Sequence, residues 1–144
     1  MLNHRSGTLY EDMFWIDLNT LKVVAEETEK NIEEGIIYSN RTKRIVETHD
    51  NLLTIHSHPK SFPPSIADIN LNFIKGYVIG IIICHDGTIY LYRANEIIEE
   101  RYYQILVADY QKQGYNDNEA QILALKELQE KFDIEFKEVT GDDV

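Results

Sequence analysis

The sequence predicts a mixed α/β (α+β) fold, a central mixed β-sheet flanked by helices, with two extra helices toward the C-terminus. Three observations carry this. Tyr77 to Cys84 is a nearly continuous apolar, β-branched run, followed by an Asp86-Gly87 hairpin signal. Ile66, Ile69, Phe73 and Ile74 keep helical spacing just before that run. From Glu96 onward the chain changes to long amphipathic stretches. The 144 residues read as one domain, 1–144, with a core of about 7–93 and a helical extension of about 96–139.

The elements follow in order. Met1 to Gly7 is a polar lead-in. Tyr10 to Ile16 is rich in aromatic and apolar residues and reads as a buried strand with Glu11 and Asp12 at its start. Asp17 to Thr20 turns the chain into a second strand, Leu21 to Ala25, so the pair forms a hairpin. Glu26 to Gly35 is acidic and reads as a solvated loop, and Ile36 to Tyr38 as a short strand. Ser39 suits the N-cap of a helix through about Glu47, with Ile45 and Val46 inward. Leu52 to His56 is the next strand. Pro63-Pro64-Ser65 starts a helix through about Lys75, with Ile66, Ile69, Phe73 and Ile74 inward. Tyr77 to Cys84 reads as a strand buried on both faces, and Thr88 to Arg93 as its hairpin partner. Glu96 to Gln113 is a helix ended by Gly114. Asn116 with Glu119 forms a capping box for a second helix to about Phe132, with Ile122, Leu125 and Leu128 inward. Ile134 to Val139 alternates apolar and charged residues and reads as an edge strand. Thr140 to Val144 is an acidic tail.

The net charge of −11, from 14 basic and 25 acidic residues, is a poor match for a phosphate backbone or an anionic membrane surface. Neither nucleic acid nor membrane is an expected partner. The apolar run at Tyr77 is too short to span a bilayer, and no leader pattern opens the chain. The single cysteine, Cys84, excludes an internal disulfide and a multi-cysteine zinc cluster. It reads as a small buried hydrophobe in a cytoplasmic protein. His4, His49 and His85 read as exposed.

The chemistry concentrates in Thr54 to Asn70. His56 and His58 sit two apart at the end of a strand, so both side chains point to one face. Asp68 lies ten positions beyond His58, across a proline-rich loop that can fold it back to the same point. Two imidazoles and a carboxylate fill three positions of a tetrahedral zinc site and leave the fourth for water. Each piece also has an ordinary reading. A lone His-x-His pair is commonly two unremarkable histidines, Ser65 is a good N-cap, and Asp68 complements a helix dipole. The combination favours metal.

His56-Ser57-His58-Pro59, Pro64-Ser65 and Asp68 resemble the JAMM motif of the MPN/JAB metallopeptidase family, and the short prokaryotic members are most similar. That motif is an upstream glutamate, then H-x-H, then S-x-x-D. Six residues separate His58 from Ser65, one fewer than is usual in the family, and the difference falls in the loop. The resemblance covers roughly Gly7 to Arg93 and implies an MPN/JAB-like fold. It implies one Zn2+ per chain held by His56, His58 and Asp68. Ser65 is then the residue that helps hold the oxyanion, and a glutamate the general base acting on the zinc-bound water. Glu11 lies 45 residues before His56, the spacing of the family. Asp12 would face the other side of the strand. Glu26, Glu27, Glu29, Glu33 and Glu34 fall in the acidic loop, and Glu47 at a helix end.

The activity so implied is hydrolysis of a peptide or isopeptide amide, with a protein or peptide substrate such as a ubiquitin-like or sulfur-carrier tail. The alternative is a non-catalytic MPN-like protein-binding module, phage- or toxin-associated, with the C-terminal helices as docking surface. Nucleobase deaminases and H-E-x-x-H proteases are excluded, because their motifs are absent.

Overall fold

In the computed structural model, residues 11–28, 36 and 38–139 are described. They form a six-stranded mixed sheet and four helices. The elements are β1 (Asp12–Asp17), β2 (Lys22–Thr28), α1 (Asn40–Thr48), β3 (Leu52–His58), α2 (Ile66–Lys75), β4 (Ile79–Cys84), β5 (Ile89–Ala94), α3 (Glu100–Lys112), α4 (Asp117–Lys131) and β6 (Ile134–Val139). The strand order is β2-β1-β3-β4-β5-β6. Only β3 and β4 run parallel, because α2 carries the chain back between them. The other neighbours are antiparallel. No helix among the described residues is long and apolar enough to cross a membrane.

The helices begin where their caps dictate. The Ser39 hydroxyl accepts the Thr42 N–H at α1. Ser65 and Asp68 exchange bonds in a capping box at α2, and Asn116 and Glu119 do so at α4. Gly76 ends α2 in the left-handed conformation that favours glycine.

All four helices lie on one face of the sheet. Val46 of α1 packs with Met13, Trp15, Leu52 and Tyr77. Ile66 and Ile69 of α2 and Leu125 and Leu128 of α4 pack with Ile82, Tyr90 and Tyr92, and Tyr102, Tyr103 and Leu106 of α3 pack against that cluster. Strand pairing puts these sheet residues on the same side.

Several expectations change. β4 is not covered on both faces: its residues alternate buried and half-buried. The second strand runs on to Thr28, so Glu26 and Glu27 belong to β2, and Glu27 accepts the Ser39 N–H. Ile36 and Tyr38 are not in a strand. Phe73 and Ile74 face outward at 43% and 59% exposure, while Asn72 takes the inward position and accepts the Ala94 N–H. α3 starts at Glu100 rather than Glu96. The Asn70 amide holds Ile98 at both its N–H and its C=O, which keeps that stretch out of the helix. His49 is half-buried, with Nδ1 against the Ile45 carbonyl. His85 is half-buried too, with both ring nitrogens shielded and burial pulling its pKa down. The lead-in with His4, the acid-rich stretch of Glu29, Glu33 and Glu34, and the C-terminal tail lie outside the described residues.

Candidate metal centre

β3 delivers the histidines as its spacing demands. His56 is paired with Met13 of β1 and with Ile82 of β4, in the middle of the sheet. His58 stands at the strand end, and its Nδ1 lies 3.0 Å from the Phe62 carbonyl. Donating that nitrogen's proton leaves Nε2 to face the centre. The two Nε2 atoms lie 3.1 Å apart.

The capping box aims Asp68. Its Oδ2 accepts the Ser65 N–H at 2.9 Å, and the same oxygen lies 3.5 Å from His56 Nε2 and 3.4 Å from His58 Nε2. Glu11 immediately precedes β1 and is buried, with Oε1 at 3.7 Å from His58 Nε2. Asp12 projects from the strand's other side, where its N–H donates to the buried Ser57 hydroxyl. Ser65 is exposed at the mouth of the centre, its oxygen accepting the Asp68 N–H. The fold therefore brings Glu11, His56, His58, Ser65 and Asp68 to one place.

Electrostatics tie the group together. Burial pulls the His58 imidazole down, but the carboxylates of Asp68 and Glu11 and the Phe62 carbonyl outweigh it, and its pKa is pushed up to about 9. Burial pushes the Asp68 carboxyl up, yet the two imidazoles hold it well below the ordinary carboxylate range. The buried ligand atoms of Glu11, His56 and His58 all lie within 4.8 Å of one another and could hold a metal ion. Buried His56 Nδ1 has no hydrogen-bond partner. Two imidazole nitrogens and two carboxylates converging on one largely buried point form a set of Lewis-basic atoms that a cation would hold together.

The centre opens into a cavity of about 600 Å³. The wall contains residues that local sequence pattern did not single out: Tyr38, Tyr77 and Tyr92, with Asp117 and Gln121 from the start of α4. Trp15 Nε1 donates to the Tyr77 hydroxyl at 2.9 Å, and the Tyr77 and Tyr38 hydroxyls lie 3.3 Å apart. Burial raises the pKa of Tyr38, Tyr77 and Tyr92, so all three remain neutral phenols. The only sequence signal for this wall is the cross-strand pairing of Gly80 with Tyr92: a glycine leaves room for the tyrosine ring to lie over it.

The fold and the centre together define a mixed α/β protein with a buried two-histidine, carboxylate cluster competent to hold a metal ion. No family model matches the chain, and neither a curated protein nor a solved structure matches it.

Proposed function

We propose that the chain is a zinc metalloprotease of the JAMM type on an MPN/JAB-like fold, hydrolysing a peptide or isopeptide amide. The observation that carries this reading is the spacing of three ligand atoms. His56 Nε2, His58 Nε2 and Asp68 Oδ2 are separated by 3.1, 3.4 and 3.5 Å. Zinc bonds of roughly 2.0–2.1 Å give a tetrahedron whose edge is about 3.3–3.4 Å. The three separations cluster around that edge. Glu11, at 3.7 Å from His58 Nε2, sits beside the triangle and suits a base rather than a fourth protein ligand.

When bound, a zinc ion supplies Lewis-acid chemistry, lowering the pKa of a coordinated water toward about 7 and polarising the scissile carbonyl. The residues do the rest. Glu11 takes the proton of the attacking water and passes it to the departing amine nitrogen. The Ser65 hydroxyl, whose oxygen already accepts the Asp68 N–H, still has its own proton to donate to the developing oxyanion. His58 is held in register by the Phe62 carbonyl and Asp68 by the Ser65 N–H. The aromatic wall fits the side chain of a protein or peptide substrate, and a ubiquitin-like or sulfur-carrier tail is the class that the family resemblance implies.

The test combines metal analysis with amide hydrolysis. Purified protein equilibrated with zinc should hold one ion per chain. Glu11→Gln should keep that ion and lose on the order of 10²–10⁴ in hydrolysis. Undiminished hydrolysis by the zinc-loaded Glu11→Gln protein would refute the base, and failure of the parent to retain zinc would refute the whole reading.

A further inference from the structure

The cavity runs on past the metal ligands, and its far end has chemistry that the catalytic reading does not use. Thr54 lies two residues before His56 on β3 and turns to the same face, one pleat or roughly 6.6 Å along the strand. Across the sheet it stands in one row with Trp15, Gly80 and Tyr92. Gly80 has no side chain, so the Tyr92 ring lies over it, with Cζ, the carbon that bears the hydroxyl, nearest. Tyr38, Tyr77, Met13 and Leu71 complete the walls. Fully buried Trp15 meets the Tyr38 ring edge to face, with centroids 4.9 Å apart.

Hydrogen counting shows what this end lacks. The Tyr77 hydroxyl accepts the Trp15 N–H and lies 3.3 Å from the Tyr38 hydroxyl. A bond between the two phenols uses one of their protons. The other has no acceptor among the described residues. Thr54 Oγ1 is buried with no hydrogen-bond partner. Its hydroxyl acts on the Tyr92 phenol, opposing the rise in pKa that burial causes there. Even a bond between those two would leave one O–H of the pair spare. This end of the cavity therefore holds two or more O–H donors that lack an acceptor.

We infer that it is a side-chain subsite that takes a tyrosine beside the scissile amide, an inference that rests on the peptidase reading above. Three phenol rings and the Met13 thioether suit a flat aromatic group. The spare O–H donors call for an oxygen at its tip, which a phenol supplies and a phenyl ring does not. A lysine would bring donors to donors. A glutamate would bring an acceptor, but its charge would be buried beside a field from Asp68 and Glu11 that already opposes ionisation of Tyr92.

Two readouts test this, one of them free of turnover. Trp15 is the single tryptophan and touches the subsite through Tyr38 and Tyr77, so its fluorescence follows binding. N-acetyl-tyrosinamide should bind the metal-free chain on the order of ten- to a hundredfold more tightly than N-acetyl-phenylalaninamide. The zinc-loaded chain should show a similar preference in kcat/KM between peptides that differ only by Tyr or Phe beside the scissile amide, with Lys and Glu peptides poorer than both. Thr54→Val should shrink the Tyr-to-Phe ratio several-fold, and Thr54→Ser should restore it. Urea melts of Thr54→Val should show no loss of stability, because the variant removes a buried hydroxyl that has no partner. The comparison of the two amides needs no variant at all. No response to N-acetyl-tyrosinamide up to about 10 mM, or equal binding of the two amides, overturns the inference. So does a preference for the Lys or Glu peptide, or a Tyr-to-Phe ratio indifferent to Thr54→Val. Selective binding of the tyrosine amide without hydrolysis of any peptide supports the subsite and removes the peptidase reading, whereas hydrolysis blind to tyrosine removes the subsite alone.

Discussion

Loading the centre with a divalent cation should release about one proton near neutral pH, and the observed affinity should climb with pH up to about 9. The reason is His58, whose pKa is pushed up to about 9 by Asp68, Glu11 and the Phe62 carbonyl against the opposing pull of burial. At pH 7 the metal-free imidazole holds a proton that any cation must displace. Each pH unit is worth about 1.36 kcal/mol, so displacement at pH 7 costs roughly 2.7 kcal/mol, about a hundredfold in Kd relative to pH well above 9. Chelator-buffered zinc titrations from pH 6.5 to 9 should show close to a tenfold gain per unit. Calorimetry in two buffers of different ionisation enthalpy should count the proton. Stability gives an independent reading. The folded-state pKa lies above the unfolded value of about 6.5. Protonated His58 therefore stabilises the metal-free fold fully below about pH 6.5, and that contribution, on the order of 3 kcal/mol at most, fades as pH rises through about 9. The metal-free Tm should fall across that window while the gain in Tm on adding zinc grows. A flat affinity between pH 7 and 9 with no proton released would refute the argument.

Substitutions at three further positions separate the roles of neighbouring groups. Ser65→Ala should cost about 1 kcal/mol through the lost α2 cap and about 10²–10³ in hydrolysis, whereas Ser65→Asn should recover stability but not turnover; denaturant melts and rate assays on both variants check this. Gly80→Ala would bring a Cβ to 2.2 Å from the Tyr92 ring, so urea melts should show a loss of about 1–3 kcal/mol. Tyr77→Phe strands the buried Trp15 N–H and should lower stability by about 1–3 kcal/mol in the same assay.

The centre was legible because most of its parts are local. His-x-His at a strand end fixes a shared face by pleat alone, and Ser65 with Asp68 three residues on is a cap whose carboxylate also meets the histidines. Glu11 required the family resemblance, since nothing near it in the chain marks it. The errors come from tertiary competition. Glu26 and Glu27 look like loop, but an edge strand tolerates Glu26 on its exposed side, while Glu27, half-buried on the other, accepts the Ser39 N–H. Phe73 and Ile74 fit a helical stripe as well as Asn72 does, and only the N–H of Ala94, 22 residues away, explains why the amide turns inward. The tyrosine wall draws on positions 38, 77 and 92, which no periodicity connects. β4 misled because apolar residues on both faces ordinarily mean two covering layers. Here the described helices all pack on one face, and the apolar residues of the other face are half-buried.

The short loop between His58 and Ser65 is held by contacts with the sheet. The Phe62 carbonyl is shared by His58 Nδ1 at 3.0 Å and by Cys84 Sγ at 3.6 Å. The Tyr90 hydroxyl donates to the Ser61 carbonyl at 3.1 Å, and the Ser61 hydroxyl donates to Asp86 in the β4–β5 turn. Four contacts from three strands and a turn thus fix the path of this six-residue loop. That path starts α2 where its first turn can hand Asp68 to both imidazoles. A site set this way by the sheet is ordered before any cation arrives, so binding has little conformational entropy to overcome. The cost that remains is the His58 proton, which is why affinity should follow pH rather than the folding of the loop.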